Sequence, residues 1–509
     1  MIQNHRDNVI ERLLGDYPSR KLPIQNIVSK LAQRECAIDS PAQLFYRQRS
    51  FYQCIVPDYT ELGVQTPPGY LRKFTPDGNQ LLAFSNTQKH VVLYDYLGSG
   101  AGQGCYLCDM STEDLKAELF DKFFKLRFCI PVVASSNENL NRECSLFTND
   151  GQYVIVGSSC LVSDDPYPHM FETFRNNESL SPNERFPLED YTLYLVDIKA
   201  GVVSDSRQLK CDKIHLSHNQ GLSLCDNMLA VLSLQHQTIH LFQVYSGLFI
   251  PMHEIGRFCH PDDALIFSEA HLLQPESTAD GGEHNTSPEP FRPFLERWFN
   301  SLKHRLLCWL LKQAENACTP VNKTPLSVFF QKFDYLSSLR LWKMQLLDSE
   351  HLLLKYTTED IVTLKQNDPT SQPAFFAIYD IKLTAILAVY ENTSENFLRI
   401  YESQADSFRS PVSHPLAHYT SSVSNNLHAR AFHMKFKQTI TNAKYGGKAE
   451  ATRRLLGQLP ICSQSFSSSP YLDLGLFSYE DKWVSPLERP KQCGDTPVRW
   501  VVCRNECVV

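Results

Sequence analysis

Residues Leu71–Tyr96 read LRKFTPDGNQLLAFSNTQKHVVLYDY. Pro76-Asp77-Gly78 is a turn: Pro fixes φ, Asp bonds back to the backbone and Gly accepts positive φ. Leu81 to Phe84 is a continuous apolar run, as expected of a strand covered on both faces. Polar residues Ser85 to His90 connect it to Val91–Tyr96, a strand rich in β-branched and aromatic residues. Two strands cannot bury their own faces, so this stretch predicts similar units beside it.

The same plan recurs further along. Phe147-Thr148-Asn149-Asp150-Gly151, followed by Tyr153 to Val156, repeats Phe74-Thr75-Pro76-Asp77-Gly78 followed by Leu81 to Phe84. Tyr191–Ile198 then matches Val91–Tyr96, closing on a turn at Ala200-Gly201. A third unit has strands at Gly221–Leu224, Met228–Leu234 and Thr238–Tyr245, with His253–Phe258 leading into the next. Trp342–Leu347, His351–Tyr356, Asp360–Leu364, Ala374–Tyr379 and Ala385–Glu391 supply a fourth with an extra strand. Units of one plan at irregular spacing predict a mainly β protein, a β-propeller-like repeat architecture with helical insertions and an N-terminal helix. A pair of packed β-domains is the alternative.

Helical periodicity appears at Asn8–Leu14, where Val9, Ile10, Leu13 and Leu14 share a face. This short helix either packs on its own domain or docks a partner, with Ile10, Leu13 and Leu14 as the docking positions. Glu113–Phe128 is a second helix. Arg297–Glu315 (with Trp298, Phe299 and Leu302) and Leu326–Leu339 (with Phe329 and Phe333) form a helical insertion whose apolar side chains are either core or a partner surface. The basic helices Asn426–Asn442 and Lys448–Leu456 carry Lys435, Lys437, Arg453 and Arg454, a solvated face or a contact for an acidic partner. The resulting segments are 1–20, a docking helix; 21–273, strand units; 274–290, a polar loop; 291–340, the helical insertion; 341–402, a strand unit; 403–460, a loop and the basic helices; and 461–509, C-terminal strands.

Composition narrows the function. The net charge of −7 argues against a dominant phosphate-binding surface. No run approaches the length of a membrane span or of a signal-peptide core, so a soluble intracellular protein is expected, with no membrane partner. The 16 cysteines are scattered and read as reduced structural thiols. Cys105 and Cys108 form one CxxC without a second pair, so no metal site is assigned. Gly98–Gly104, GSGAGQG, lacks both dinucleotide and P-loop spacing and reads as a flexible loop. His215 and His218 read as structural. No nucleophile elbow, zinc-protease or kinase signature is present. The sequence therefore indicates a non-catalytic binding protein without a cofactor.

Longer motifs point to a family. LRKFTPDG (Leu71–Gly78), NLNRECSLFTND (Asn139–Asp150), FPLEDYTL (Phe186–Leu193), KCDKIHLSHNQGL (Lys210–Leu222), QTIHLFQV (Gln237–Val244), NSLKHRLL (Asn300–Leu307), LWKMQLLD (Leu341–Asp348), NAKYGGKAEATRRLLGQLP (Asn442–Pro460) and SPYLDLGLFSYEDKWVSPLERPKQCGD (Ser469–Asp495) resemble the De-etiolated 1 family. The resemblance is collinear from about Asn8 to Pro497. It implies a nuclear, non-catalytic subunit of a cullin-4 ubiquitin ligase. The implied partners are the damaged-DNA-binding adaptor (damaged-DNA-binding protein 1) with its small associated subunit, a ubiquitin-conjugating enzyme or its inactive variant, and the constitutive photomorphogenic ligase. A scaffold in chromatin with histone contact is the alternative. The resemblance fades at Trp500, where family chains continue with further strands; the expectation is an incomplete C-terminal unit with an open edge.

Overall fold

The computed structural model describes residues 59–62, 65–98, 112–162, 168, 170–176, 178–182, 187–256, 302–319, 324–359, 362, 373–409, 427–444, 446–461, 464 and 499–502. The chain divides into two compact units, Met1–Gly63 with Arg499–Val509, and Val64–Val498. In the first, β1 (Tyr59–Leu62) pairs antiparallel with a C-terminal strand, Arg499–Val502. The expected docking helix, Trp298, Phe299, the polar loop, Cys105, Cys108 and Tyr471–Val484 lie outside the described residues.

The second unit holds four antiparallel sheets of the expected plan. Sheet I is β2 (Tyr70–Phe74), β3 (Gln80–Phe84), β4 (His90–Tyr96) and β5 (Phe124–Pro131). Sheet II is β6 (Asn139–Leu140), β7 (Leu146–Phe147), β8 (Tyr153–Leu161), β9 (Glu189–Asp197) and β10 (Val202–Asp212). Sheet III is β11 (Leu222–Cys225), β12 (Met228–Ser233), β13 (Thr238–Tyr245) and β14 (Leu248–Ile255). Sheet IV is β15 (Leu339–Leu346), β16 (His351–Thr358), β17 (Phe375–Asp380) and β18 (Ala385–Glu391). No sheet closes on itself among the described residues.

The two repeated turns form the same structure. Gly78 N–H donates to Thr75 O at 2.9 Å, and Gly151 N–H to Thr148 O at 2.9 Å. Each threonine hydroxyl donates to the aspartate two residues on. Gly78 and Gly151 take φ of 75° and 62°, which is why glycine stands there. The bond from Thr75 holds the Asp77 carboxyl below the usual carboxylate range.

Alternation along each strand decides how the sheets stack. On β8, Val154 and Val156 pack with Leu82, Phe84 and Val91 of sheet I. Ile155, between them, packs with Leu229 and Val231 of sheet III. On β12, Ala230 and Leu232 face Leu341 and Met344 of sheet IV. Sheets II and III are thus covered on both faces by other sheets, which explains their continuous apolar runs.

Buried and half-buried side chains also tie the first strands and their flanks together. Lys73 on β2 donates to Ser145 O at 2.8 Å. Asn219 brackets the backbone of Ser145: it accepts from Ser145 N–H at 3.0 Å and donates to its carbonyl at 3.2 Å. Ser223 on β11 accepts from Leu346 N–H on β15 at 2.9 Å. Gln237, in the β12–β13 turn, accepts from Leu341 N–H at 2.6 Å and donates to Leu341 O at 3.2 Å. Polar side chains thereby satisfy backbone groups at and beside the edge strands that would otherwise be left open.

The outer face of sheet IV is covered by helices. After β18 the chain forms α5 (Glu395–Ser403), α6 (Ala405–Arg409), α7 (Leu427–Thr441) and α8 (Lys448–Leu456); α1 to α4 are Thr112–Phe123, Leu302–Ala317, Thr324–Gln331 and Phe333–Ser337. Leu353 and Phe376 of sheet IV pack with Phe397, Tyr401, Phe436 and Leu455 of these helices. Lys355 lies on this face, 5% exposed, its amine 5.4 Å from the centre of the Phe376 ring. Among the described residues that amine makes no hydrogen bond or ion pair. Burial, with Lys343 beside it, pushes its pKa down to about 7. Beyond α8, Ile461 N–H donates to Gln345 on β15 at 2.7 Å. Gln464 accepts from Phe147 N–H on β7 at 2.9 Å and from Lys73 on β2 at 3.0 Å.

Several expected boundaries change. The helix expected over Glu113–Phe128 ends at Phe123, and its tail is β5, where Leu126 is exposed. The helix over Leu326–Leu339 stops at Gln331, resumes at Phe333 and ends at Ser337; Leu339 starts β15. Val362, inside the expected strand Asp360–Leu364, is helical. His253 lies on β14, the fourth strand of sheet III, and does not open a new unit. The region from Ser403, expected to be a polar loop, begins with the end of α5 and with α6. Ser394 caps α5 by accepting from Phe397 N–H at 3.4 Å.

Candidate partner-binding surfaces

The helical insertion is fastened to the sheets. Leu302 and Leu306 on α2, Phe329 on α3 and Leu336 on α4 enter the core between sheets III and IV. Glu178 receives ion pairs from Lys303 and from Arg340, the latter at 2.9 Å, and Arg340 also pairs with Glu359 at 2.9 Å. Burial lowers the Lys303 pKa against the opposing pull of Glu178. Leu302 and Phe329 therefore belong to the interior. Phe333 is exposed, and so are its neighbours Val328 and, more than either, Phe330. Phe329 holds Phe330 and Phe333 by edge-to-face contacts at 5.5 and 6.0 Å.

The basic helices split into paired and open charges. Glu450 takes up both Arg453, at 3.1 Å, and Arg454, at 2.9 Å. Lys437 reaches Glu402 at 3.3 Å, and His433 contacts the same oxygen at 2.7 Å. Burial would raise the Glu402 carboxyl, but His433 and Lys437 outweigh it and hold it low. Lys435 stays exposed and makes no ion pair among the described residues. The expected cationic quartet is thus one open lysine and three side chains bound to carboxylates.

The described histidines and cysteines sit in structural surroundings. His215 meets the Trp342 ring edge-on at 5.0 Å, whereas His218 faces Glu143 at 3.5 Å. Cys144 and Cys225 are buried, and burial pushes each thiol up to about 12, far from a nucleophilic thiolate. Among the described residues no three metal-ligating side chains converge. A cavity of about 500 Å³ beside β6, β8 and β9 is lined by Asn139, Ser159, Cys160 and Glu189. Its Glu189 is an ion-pair partner of Lys213.

The sequence profile of De-etiolated protein 1 matches residues 142–509. The chain belongs to that family. The match runs past Trp500, where the motifs faded, so family likeness extends to the last residue. The chain is 29% identical to light-mediated development protein DET1 of Arabidopsis thaliana over 512 residues, covering 94% of this chain and 89% of that protein. It is also 29% identical over 489 residues to light-mediated development protein DET1 of Solanum lycopersicum, covering 94% and 88%. Among solved structures, the β-propeller domain of Myceliophteria thermophila Cps50 (Swd1) is 8% identical, covers 62% of this chain and 58% of that one, and has a TM-score of 0.26. Both family relatives are named for light-mediated development.

Proposed function

We propose that this chain is a non-catalytic, substrate-recruiting subunit of a nuclear cullin-4 ubiquitin ligase. In this reading it binds the damaged-DNA-binding adaptor and its small associated subunit, brings in a ubiquitin-conjugating enzyme or variant, and works with the constitutive photomorphogenic ligase. Family membership over residues 142–509 carries the reading. The four sheets act as blades of a β-propeller, a scaffold that offers rims to other proteins. Bonds from Lys73, Asn219, Ser223 and Gln464 at or beside the first strands of the sheets support that arrangement.

The deciding experiment is purification of the 509-residue chain with the adaptor and the conjugating enzyme. Both should accompany it. A folded chain that purifies alone overturns the ligase reading and favours the chromatin scaffold. Leu13→Asp with Leu14→Asp should cut adaptor binding by about tenfold or more at unchanged melting temperature, since two buried anchors contribute several kcal/mol; unchanged binding removes Ile10, Leu13 and Leu14 as the dock. Phe330→Asp with Phe333→Asp should weaken conjugating-enzyme binding and leave stability nearly unchanged, because both rings are exposed. Retained enzyme binding assigns that patch no role.

A further inference from the structure

No Asp or Glu occurs from Ser407 to Ala449, although the whole chain carries a net charge of −7. The described part of this acid-free stretch is mostly α7. Phe436 and Ile440 pin α7 against the helices on sheet IV. Its other side then borders α5 and the start of α8, leaving a groove of about 350 Å³.

The groove walls carry Arg399 from α5, Met434 and Lys437 from α7, and Lys448 and Thr452 from α8. Two carboxylates, Glu395 and Glu402, also line it. Glu402 is already paired with Lys437 and in contact with the His433 ring. Glu395 sits in the first turn of α5, where the helix dipole favours a negative charge. Arg399 is exposed and, among the described residues, bonds only the neutral Asn396 amide, at 3.2 Å. Lys448 is exposed and has no ion pair among the described residues. Met434, 51% exposed, supplies an apolar surface between these cations.

We propose that this groove docks an acidic peptide segment of a partner protein. The peptide sets one apolar side chain on Met434 and carboxylates toward Arg399 and Lys448. Burial of the apolar side chain holds the peptide, while the flanking charges speed encounter and fix its register. A nucleic-acid strand fits less well. Glu395 and Glu402 repel a phosphodiester backbone, and among the described residues no aromatic ring lines the groove for base stacking. The groove serves this role whether or not the chain enters a ligase.

The test is fluorescence anisotropy with the full chain and a fluorescein-labelled peptide, Glu-Glu-Leu-Glu-Glu-Leu-Glu-Glu. Its Gln-for-Glu analogue and a labelled DNA duplex serve as comparisons. The acidic peptide should bind, the analogue should bind at least about tenfold more weakly, and affinity should fall with salt as exposed charges are screened. Arg399→Glu with Lys448→Glu should weaken the peptide by about tenfold or more, and Met434→Ala should weaken it without changing the salt dependence. Lys125→Glu, a charge reversal at an exposed position on β5, should leave binding unchanged. Thermal denaturation of each variant should match the parent. Absence of peptide binding, equal losses in the Lys125 and groove variants, or tighter binding of the duplex that the groove reversal abolishes would each overturn the proposal.

Discussion

Lys355→Met should make the protein more stable at neutral pH. Lys355 stands on β16, between Lys343 on β15 and Phe376 on β17. Its stem belongs with the apolar layer between sheet IV and the helices; its ammonium does not. Among the described residues only the face of the Phe376 ring compensates the charge. The folded pKa of about 7 lies below the ordinary 10.5. Below pH 7 both folded and unfolded chains hold the proton, so the full cost of burial is present. Between pH 7 and 10.5 the unfolded chain binds more protons, so stability rises with pH, and above that window the cost is gone. At about 1.4 kcal/mol per unit, the penalty near neutrality is on the order of 4 kcal/mol. Methionine keeps the length and removes the charge. Denaturant titrations from pH 6 to 10 should show a higher midpoint for the variant at low pH and lose most of the alkaline rise. An unchanged midpoint and slope would mean that the amine keeps its water.

Gln237→Ala should have the largest effect in the opposite direction. The Gln237 side chain supplies both partners to the backbone of Leu341 and a further bond to Leu234 O at 2.9 Å. Alanine leaves those buried groups unpaired, at about 1–3 kcal/mol each, so a loss of roughly 3–5 kcal/mol is expected. Gln237 also has a φ of 55°. Gln237→Gly removes the same bonds but relieves the left-handed backbone, so it should be about 1 kcal/mol less harmful than alanine. If alanine and glycine cost the same and both cost little, water has replaced the amide. In that case sheets III and IV are held by apolar packing and the Ser223–Leu346 bond.

The inner strands were legible because they are buried on both sides. Leu81–Phe84, Tyr153–Val156 and Met228–Leu234 are nearly all apolar, and each is a central strand. The outermost strands were harder to see. β10 and β14 place much of their length in water and read VVSDSRQLKCD and LFIPMHEI, with no sustained run and no clean alternation. β5 follows α1 without a break, so Leu126 and its neighbours continued the helical pattern by coincidence. The α5 helix was marked by Phe397, Leu398 and Tyr401, but at 9 residues it gave too short a pattern beside a long polar region. The partner surfaces were legible as composition and not as geometry. The basic residues of α7 and α8 stand out in the sequence, yet their carboxylate partners Glu402 and Glu450 do not. Arg399 joins Lys448 only because α5 and α8 pack together.

By itself the sequence determined the strand units, the repeated Thr-x-Asp-Gly turns, the absence of a catalytic signature and the family. These depend on neighbours within a few residues, or on long collinear motifs, and both survive without coordinates. Only the tertiary structure decided which apolar residues are core and which are surface. Phe329 and Phe330 are adjacent in sequence, but one is 7% and the other 61% exposed. Packing decided likewise that Lys355 is buried, that Lys437 and both arginines are paired, and that Arg399, Met434 and Lys448 share a groove. Burial and charge compensation are set by what other segments bring to a side chain, and the local pattern carries no record of that.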